Sequence, residues 1–314
     1  MDVLVTGGAG FIGSHLADAL VTRGDRVRVL DDLFSGRIEN VPAGVELIEA
    51  SVADLAAVRR AVDGVEVVFH QAAHRAVLAS VEDPLATDTA NSHGTLTVLH
   101  AAVEAGVRRV VYASSSSVYG GAAQLPTPES APLVPRSPYA ASKLVGEHYA
   151  RVFAELHGLE TVALRYFNVF GPRQRPDSAY AAVIPLFIAA LRTEHPPVVH
   201  GDGSQSRDFT YVDDVVAANL AAAAAPAEQC SGHAYNIARG EQHSLLDLLG
   251  HLASLLDVRP EPQHTEPRAG DVHQSRADPT TARRDLGFEC AVPFEDGLRR
   301  TVDWFSPGAD ETRR

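Results

Sequence analysis

Cysteine, methionine, tryptophan and lysine are all scarce in this chain of 314 residues, which has two cysteines, one methionine, one tryptophan and a single lysine. Two thiols as distant in sequence as Cys230 and Cys290 make no disulfide framework, and no Cys/His spacing matches a zinc site. No metal is expected, and a reducing, cytoplasmic compartment fits best. No run of about 18 apolar residues occurs, so no membrane span is expected. Met1-Asp2 leads straight into apolar residues without a basic region or cleavage site, so no signal peptide is expected either. Positive charge is also short: 27 basic residues face 40 acidic ones, for a net charge of −13 and no basic run. That balance argues against nucleic acid as a partner. Any anionic ligand must be held by a few local arginines.

What is present reads as a globular protein, 45% hydrophobic and 21% charged, a composition that excludes long disorder. At roughly 100–200 residues per domain, the length allows one large domain or two interlocked ones. A chain of this size buries about 75% of its unfolded surface, enough to need no staple. Lys143 is the only lysine, so the other 26 basic residues are arginine. A lysine that survives such a bias is a candidate for a role that guanidinium cannot fill.

Short apolar runs alternate with helical patterns through the first half. Val3–Val5, Arg26–Leu30, Val45–Ile48, Val65–Phe69 and Arg109–Ala113 read as strands. Helices are expected near Phe11–Thr22, Leu55–Val62, Leu85–Ala105 and Tyr139–His157, with an alanine-rich one over Val215–Ala225. Strands apolar on both faces imply helices on both sides, hence an α/β, doubly wound parallel Rossmann sheet. Its ligand crevice lies at the carboxyl ends of the strands. After Tyr166 prolines and glycines thicken, which predicts a smaller, mainly C-terminal α/β domain built largely of loops. The expected division is 1–167, with a returning segment of about 208–238, against 168–207 and 239–314. The end, from Pro307 to Arg314, is polar and expected to fray.

Thr6-Gly7-Gly8-Ala9-Gly10-Phe11-Ile12-Gly13 stands between the first strand and the first helix. Gly7 permits the tight turn, Gly10 lets the backbone approach a pyrophosphate, and Gly13 allows close helix–strand packing. The helix then turns free N–H groups toward the phosphates. Asp31, at the end of the second strand, can accept both ribose hydroxyls and would repel a 2′-phosphate, so NAD is favoured over NADP. Asp32 reads as a turn residue beside it, and Arg37 is the one nearby feature that weakens strict NAD preference.

Tyr139-Ala140-Ala141-Ser142-Lys143 puts a phenol and an ammonium one helical turn apart on one face. The charge is expected to lower the tyrosine pKa and make the phenol a usable base. The compact ammonium also suits a ribose hydroxyl better than guanidinium does. Ser114-Ser115-Ser116-Ser117-Val118-Tyr119-Gly120 ends a strand nearby.

With these motifs, and with Phe69-His70-Gln71-Ala72-Ala73, Arg165–Gly171 and Ser206–Phe209, the chain resembles the extended short-chain dehydrogenase/reductase family up to about Phe305. It is most similar to the NAD-dependent nucleotide-sugar 4-epimerases of the UDP-glucose and UDP-N-acetylglucosamine type. The resemblance implies that Tyr139 is the acid/base, that Ser115 hydrogen-bonds the reacting hydroxyl, and that Lys143 tunes Tyr139 and holds the nicotinamide ribose. It implies cofactor contacts from Gly7, Gly10, Phe11, Ile12, Gly13, Asp31, Asp32, Val52, Ala72, Ala73, Arg75, Asn91 and Phe167. Ser51 joins them as a departure, since relatives usually carry an acid there. Substrate contacts are implied for Ser115, Ser116, Tyr139, Asn168, Ala182, Val183, His200 and Asp271, with Arg207 and Arg268 clamping the diphosphate.

Relatives that dehydrate the sugar carry an Asp-Glu pair after the active-site Ser/Thr, and decarboxylases tend to carry a glutamate at the second position. This chain has Ser116-Ser117. The resemblance therefore implies inversion at C4 through a transient 4-keto sugar. Ser275, where a large tyrosine would exclude N-acetylhexosamines, implies room for an acetamido group. Arg175 resembles the uronate-binding arginine of UDP-glucuronate 4-epimerases, but those enzymes tend to have threonine at position 168. Neutral hexose or N-acetylhexosamine thus ranks first and UDP-glucuronate second. Nucleotide-sugar 4,6-dehydratase or decarboxylase follows, then a non-catalytic NAD-binding regulator. His70 and His74 are expected to be packed or solvated rather than reactive, and Cys230 and Cys290 to be inert. Relatives pair the helices over Leu85–Ala105 and Tyr139–His157 across a dimer axis, so a homodimer is expected.

Overall fold

The computed structural model describes residues 1–121, 124–177, 181–267 and 272–306. The chain opens with β1 (Asp2–Thr6), α1 (Phe11–Thr22), β2 (Arg26–Asp31), β3 (Glu46–Glu49), α2 (Leu55–Val62) and β4 (Val67–His70). Next come α3 (Val77–Glu82), α4 (Pro84–Asp88), a π turn (Thr89–His93), α5 (Gly94–Glu104), β5 (Arg109–Ser115), α6 (Pro138–His157) and β6 (Glu160–Tyr166). β7 (Val169–Phe170), α7 (Val183–Arg192), β8 (Val198–His200), β9 (Ser206–Arg207), β10 (Thr210–Tyr211) and α8 (Val212–Ala224) follow. The last elements are α9 (Ala227–Cys230), β11 (His233–Ile237), β12 (His243–Ser244), α10 (Leu245–Leu256), β13 (Gln263–Thr265), α11 (Thr280–Leu286) and α12 (Phe294–Trp304).

Seven strands form one sheet in the order β3-β2-β1-β4-β5-β6-β11, every pairing parallel. The valine-rich β1, β4 and β5 are buried on both faces because helices cover both. Strand order reverses between β1 and β4, which opens a crevice at their carboxyl ends. β11 returns to the sheet beside β6, with His233 opposite Val162 and Ile237 opposite Tyr166. A separate apolar cluster, with Phe170, Phe187, Phe209, Leu248, Phe294 and Leu298, lies among the elements after β6.

Local signals place the helices. Asp54 caps α2 by accepting from Ala56 and Ala57 N–H. Ser137 caps α6, Pro138 opens it, and left-handed Gly158 ends it. The alanine-rich helix starts at Val212, three residues earlier than the composition indicates. The helix expected over Leu85–Ala105 is present and runs without a break from α4 through a π turn into α5. The π turn carries Asn91, which is 1% exposed and holds the backbone of His74 through bonds of 2.8 and 3.1 Å. An inserted residue that turns a polar side chain inward is a common reason for such a turn. Among the described residues no helix is long and apolar enough to cross a membrane.

Candidate active site at the switch point

A crevice of about 750 Å³ runs along the carboxyl ends of β1, β2, β4 and β5 and under the loops after β6. Its first wall is backbone. Gly7 has φ +69, and a Cβ there would stand 2.7 Å from Ala72 N; a Cβ on Gly13 would stand 2.1 Å from the Gly7 carbonyl oxygen. Only glycine fits either place. The N-terminus of α1 has Gly10 as its cap and no side chain bonding its first turn, so those N–H groups face the crevice without an intrahelical partner. Asp31 closes this end. It accepts from Ala9 N at 2.9 Å and Leu33 N at 2.8 Å, and burial pushes its carboxyl up against those bonds. Asp32 accepts from Phe34 N at 3.1 Å, the turn role expected of it.

The opposite end is built of side chains. Ser115 ends β5 and caps a short 3-10 turn, Ser116–Tyr119. Its Oγ accepts from Ser117 N at 3.2 Å and Ser117 Oγ at 2.9 Å, and it lies close enough to the Tyr139 hydroxyl to favour the ionised phenol. Lys143 lies one turn below Tyr139, 3% exposed. Its Nζ donates to the Ala113 carbonyl at 2.8 Å and stands 5.1 Å from the centre of the Tyr112 ring. Burial pushes the Lys143 ammonium down to about 7. Burial also raises the Tyr139 pKa, opposed by the Ser115 hydrogen bond and the charge of Arg75. The expected lowering by Lys143 is therefore corrected: the tyrosine is raised overall, and the opposing pull comes from Ser115 and Arg75. Lys143 is turned to a carbonyl and is itself only about half ionised at pH 7.

These walls fit a dinucleotide, with backbone room for a pyrophosphate at one end and a polar pair at the other. Residues 3–238 match the NAD-dependent epimerase/dehydratase family. The UDP-glucose 4-epimerase of Mycolicibacterium smegmatis is 41% identical over 313 residues, 97% of this chain and 98% of that protein. The chain belongs to the NAD-dependent epimerase/dehydratase family. The UDP-glucose 4-epimerase of Thermotoga maritima, solved with UDP-glucose, superposes with a TM-score of 0.94 at 37% identity, all of both chains being covered. Another reaction is also represented, by a UDP-N-acetyl-α-D-glucosaminuronate decarboxylase of Bacillus cytotoxicus, 34% identical over 96% of this chain and 97% of that protein.

Within this family's crevice the structure gathers most of the residues singled out in the sequence. Gly7, Gly10, Phe11, Ile12, Gly13, Asp31, Asp32, Val52, Ala72, Ala73, Arg75 and Phe167 line it, as do Ser115, Ser116, Tyr139, Lys143, Asn168, Ala182, Arg207 and Ser275. Asn168 holds φ 32, and its Nδ2 donates to the Asp208 carbonyl at 3.1 Å. Strain of this kind tends to persist where neighbours enforce it, often at functional sites.

Five expected residues lie off these walls. Ser51 accepts from Ala53 N at 3.2 Å in the turn before α2. Asn91 is enclosed between His74 and Ser142, to whose Oγ it donates at 2.9 Å. Arg175 makes a two-pronged pair with Asp177, at 3.0 and 2.9 Å. Val183 begins α7 and packs toward the apolar cluster around Phe187. His200 bonds Thr265 Oγ1 at 2.8 Å between β8 and β13. Arg268 and Asp271 lie outside the described residues.

Several lining residues carried no sequence signal. Phe34 stacks on His74, ring centres 4.0 Å apart, and Arg136 lines the sugar end three residues before Tyr139. Gln174 lines it too, its Nε2 donating to the Val169 carbonyl at 2.8 Å while its buried Oε1 has no partner. His70 is packed, as expected, between Thr6 and Thr95 at 2.7 and 3.0 Å, and burial drives its pKa down to about 3. Cys230 and Cys290 are free thiols, both raised by burial. Among the described residues no group of three or more His, Cys, Asp or Glu is placed to hold a metal.

Proposed function

We propose that this protein inverts C4 of a UDP-hexose or UDP-N-acetylhexosamine. The observation that carries the reading is the distribution of acids. Among the described residues lining the crevice the only carboxylates are Asp31 and Asp32, at the far end from Tyr139. Ser116 and Ser117, beside Ser115, cannot exchange protons with a sugar carbon at neutral pH. C4 inversion asks for just one exchangeable proton, at the C4 hydroxyl.

NAD, when bound, supplies the oxidising and reducing power at C4. Gly7, Gly10, Gly13 and the first turn of α1 would hold its pyrophosphate, Asp31 a ribose, and Lys143 the other ribose. Tyr139 takes the proton from the C4 hydroxyl and returns it, while Ser115 fixes that hydroxyl and shares the charge. Burial raises the Tyr139 pKa, and the charge of Arg75 favours its ionised form. Arg207 grips the diphosphate, leaving the sugar free to turn over. In this division 1–167 and 208–238 serve the cofactor, and 168–207 and 239–314 the substrate.

Ser275 on the wall supports room for an acetamido group. The pairing of Arg175 with Asp177, away from the crevice, counts against a uronate carboxylate. We also propose a homodimer: Val81, Leu85, Val152 and Leu156 on the contacting helices α3, α4 and α6 are all exposed, and a second copy would cover them. Free thiols suit a cytoplasmic setting. The test is mass-resolved chromatography after incubation with UDP-glucose, UDP-N-acetylglucosamine and UDP-glucuronate separately. A new peak of unchanged mass from a neutral sugar supports the reading. A product lighter by water or carbon dioxide overturns it.

A further inference from the structure

Tyr139, Lys143 and Glu147 stand four residues apart on α6, so all three share one helix face. The first two reach the reacting end of the crevice. Glu147 continues the face into the interior, and nothing in the reaction proposed above uses it. Its carboxylate is gripped by Arg165 of β6 in a two-pronged pair, Nε to Oε1 at 2.9 Å and Nη2 to Oε2 at 2.7 Å. Both residues are buried, 8% and 4% exposed.

The pair does not stand alone. Ser114 Oγ donates to Glu147 Oε1 at 2.5 Å, and Ser114 is the residue before Ser115. Ser114 pairs in register with Arg165 across β5 and β6. Arg165 Nη1 donates to the Tyr119 hydroxyl at 2.7 Å and to the Glu129 carbonyl at 3.1 Å. The Tyr119 hydroxyl in turn donates to Asn236 Oδ1 at 2.7 Å, and Tyr119 itself lines the crevice. One buried network thus touches β5, the turn after it, α6, β6 and β11.

We propose that Ser114, Glu147 and Arg165 are positioning residues that fix the register of α6 on β5, and so the placement of the Tyr139 hydroxyl against Ser115. Three bonds pin the helix to the strand: the Tyr112 hydroxyl to the Lys143 carbonyl at 3.3 Å, Lys143 Nζ to the Ala113 carbonyl, and Ser114 Oγ to Glu147. The first two both engage Lys143, so of the three only the Ser114–Glu147 bond ties the next helical turn to the strand. Together, at successive strand residues and successive helical turns, they define both height and rotation. Arg165 locks the carboxylate's orientation because its planar fork matches both oxygens. A buried pair of this kind is weak evidence for stability but a plausible means of fixing one arrangement. An ångström of misplacement between reacting groups costs on the order of 10²-fold in rate.

The inference rests on the assignment of Ser115 and Tyr139 as the reacting pair. The test uses full-length protein with whichever neutral UDP-sugar the wild type converts. If the wild type converts none, the functional reading fails first and the variants are not reached. Ser114→Ala removes one hydroxyl and leaves the ion pair intact. The expected result is a fall in kcat of about tenfold with KM within about twofold of wild type. Glu147→Gln is expected to lower kcat by about a hundredfold while bound NAD, read by absorbance after denaturation, stays at the wild-type level. The double variant should be no slower than Glu147→Gln, because both changes break the same link. Full kcat in Ser114→Ala overturns the proposal, as does additive loss in the double variant. Should Glu147→Gln not fold, the kcat and KM of Ser114→Ala decide alone.

Discussion

The two ends of the crevice are made of different material. At the phosphate end the walls are backbone, and the decisive dimension is the 2.1 Å between a Cβ on Gly13 and the Gly7 carbonyl. At the sugar end the walls are side chains, each set by a neighbour: Tyr139 by Ser115 and Lys143 by the Ala113 carbonyl. The first design excludes, so a substitution acts by collision. The second aligns, so a substitution acts by loss of a bond. One end binds a group common to many enzymes, while the other decides which reaction is performed.

The sharpest way to separate the two ends is Tyr139→Phe. General acid–base catalysis contributes about 10²–10⁴-fold, so kcat should fall about a thousandfold while NAD remains bound. Loss of NAD together with activity would show that the ends are not independent. Gly13→Ala tests the converse. NAD affinity should fall about a hundredfold or more by titration, since the intruded atom is backbone and cannot swing away. Unchanged affinity would mean that the turn is softer than its geometry indicates.

The contrast also explains what the sequence made legible. A wall of backbone leaves a compulsory mark, because only glycine fits at positions 7 and 13, and the triad of Gly7, Gly10 and Gly13 could be read directly. The parallel sheet covered by helices on both faces followed from valine-rich runs that alternate with helices. A wall of side chains leaves a mark only where spacing along one helix brings groups together, as with Tyr139 and Lys143. Arg136, Phe34 and Gln174 come from irregular loops, where no period ties a residue to the site. The π turn that turns Asn91 inward was not legible either, because one inserted residue is invisible to a 3.6-residue pattern. The sign of the Tyr139 shift was misread because spacing reveals a neighbouring charge but not the cost of burying both groups.

Smaller effects sharpen the comparison further. Asp31→Asn should weaken NAD by about tenfold and narrow the gap to NADP, because a neutral amide no longer repels a 2′-phosphate. Equal loss of both cofactors would place the role of Asp31 in the turn, through Ala9 and Leu33, rather than on a ribose. Lys143, held near 7 in the folded cofactor-free protein, binds fewer protons there than in the unfolded chain, whose lysine titrates near 10.4. Its contribution to stability should therefore rise with pH between about 7 and 10.4, by at most about 1.4 kcal/mol per unit. Below pH 7 the full burial cost is present. Denaturant unfolding of the cofactor-free protein at several pH values checks this, and Lys143→Met should flatten that component. Arg175→Ala should change KM for neutral UDP-sugars by less than about twofold, since the guanidinium is engaged with Asp177 off the crevice. A selective loss with UDP-glucuronate would restore it as a specificity residue.

The central claim is that C4 is both oxidised and reduced, with no chemistry elsewhere on the sugar. UDP-glucose carrying deuterium at C4, incubated with the protein and analysed by proton NMR, tests it most directly. The account predicts a C4-inverted product with the deuterium still on C4. Deuterium found on C6, or a product lacking water, would contradict it and place the protein among the dehydratases.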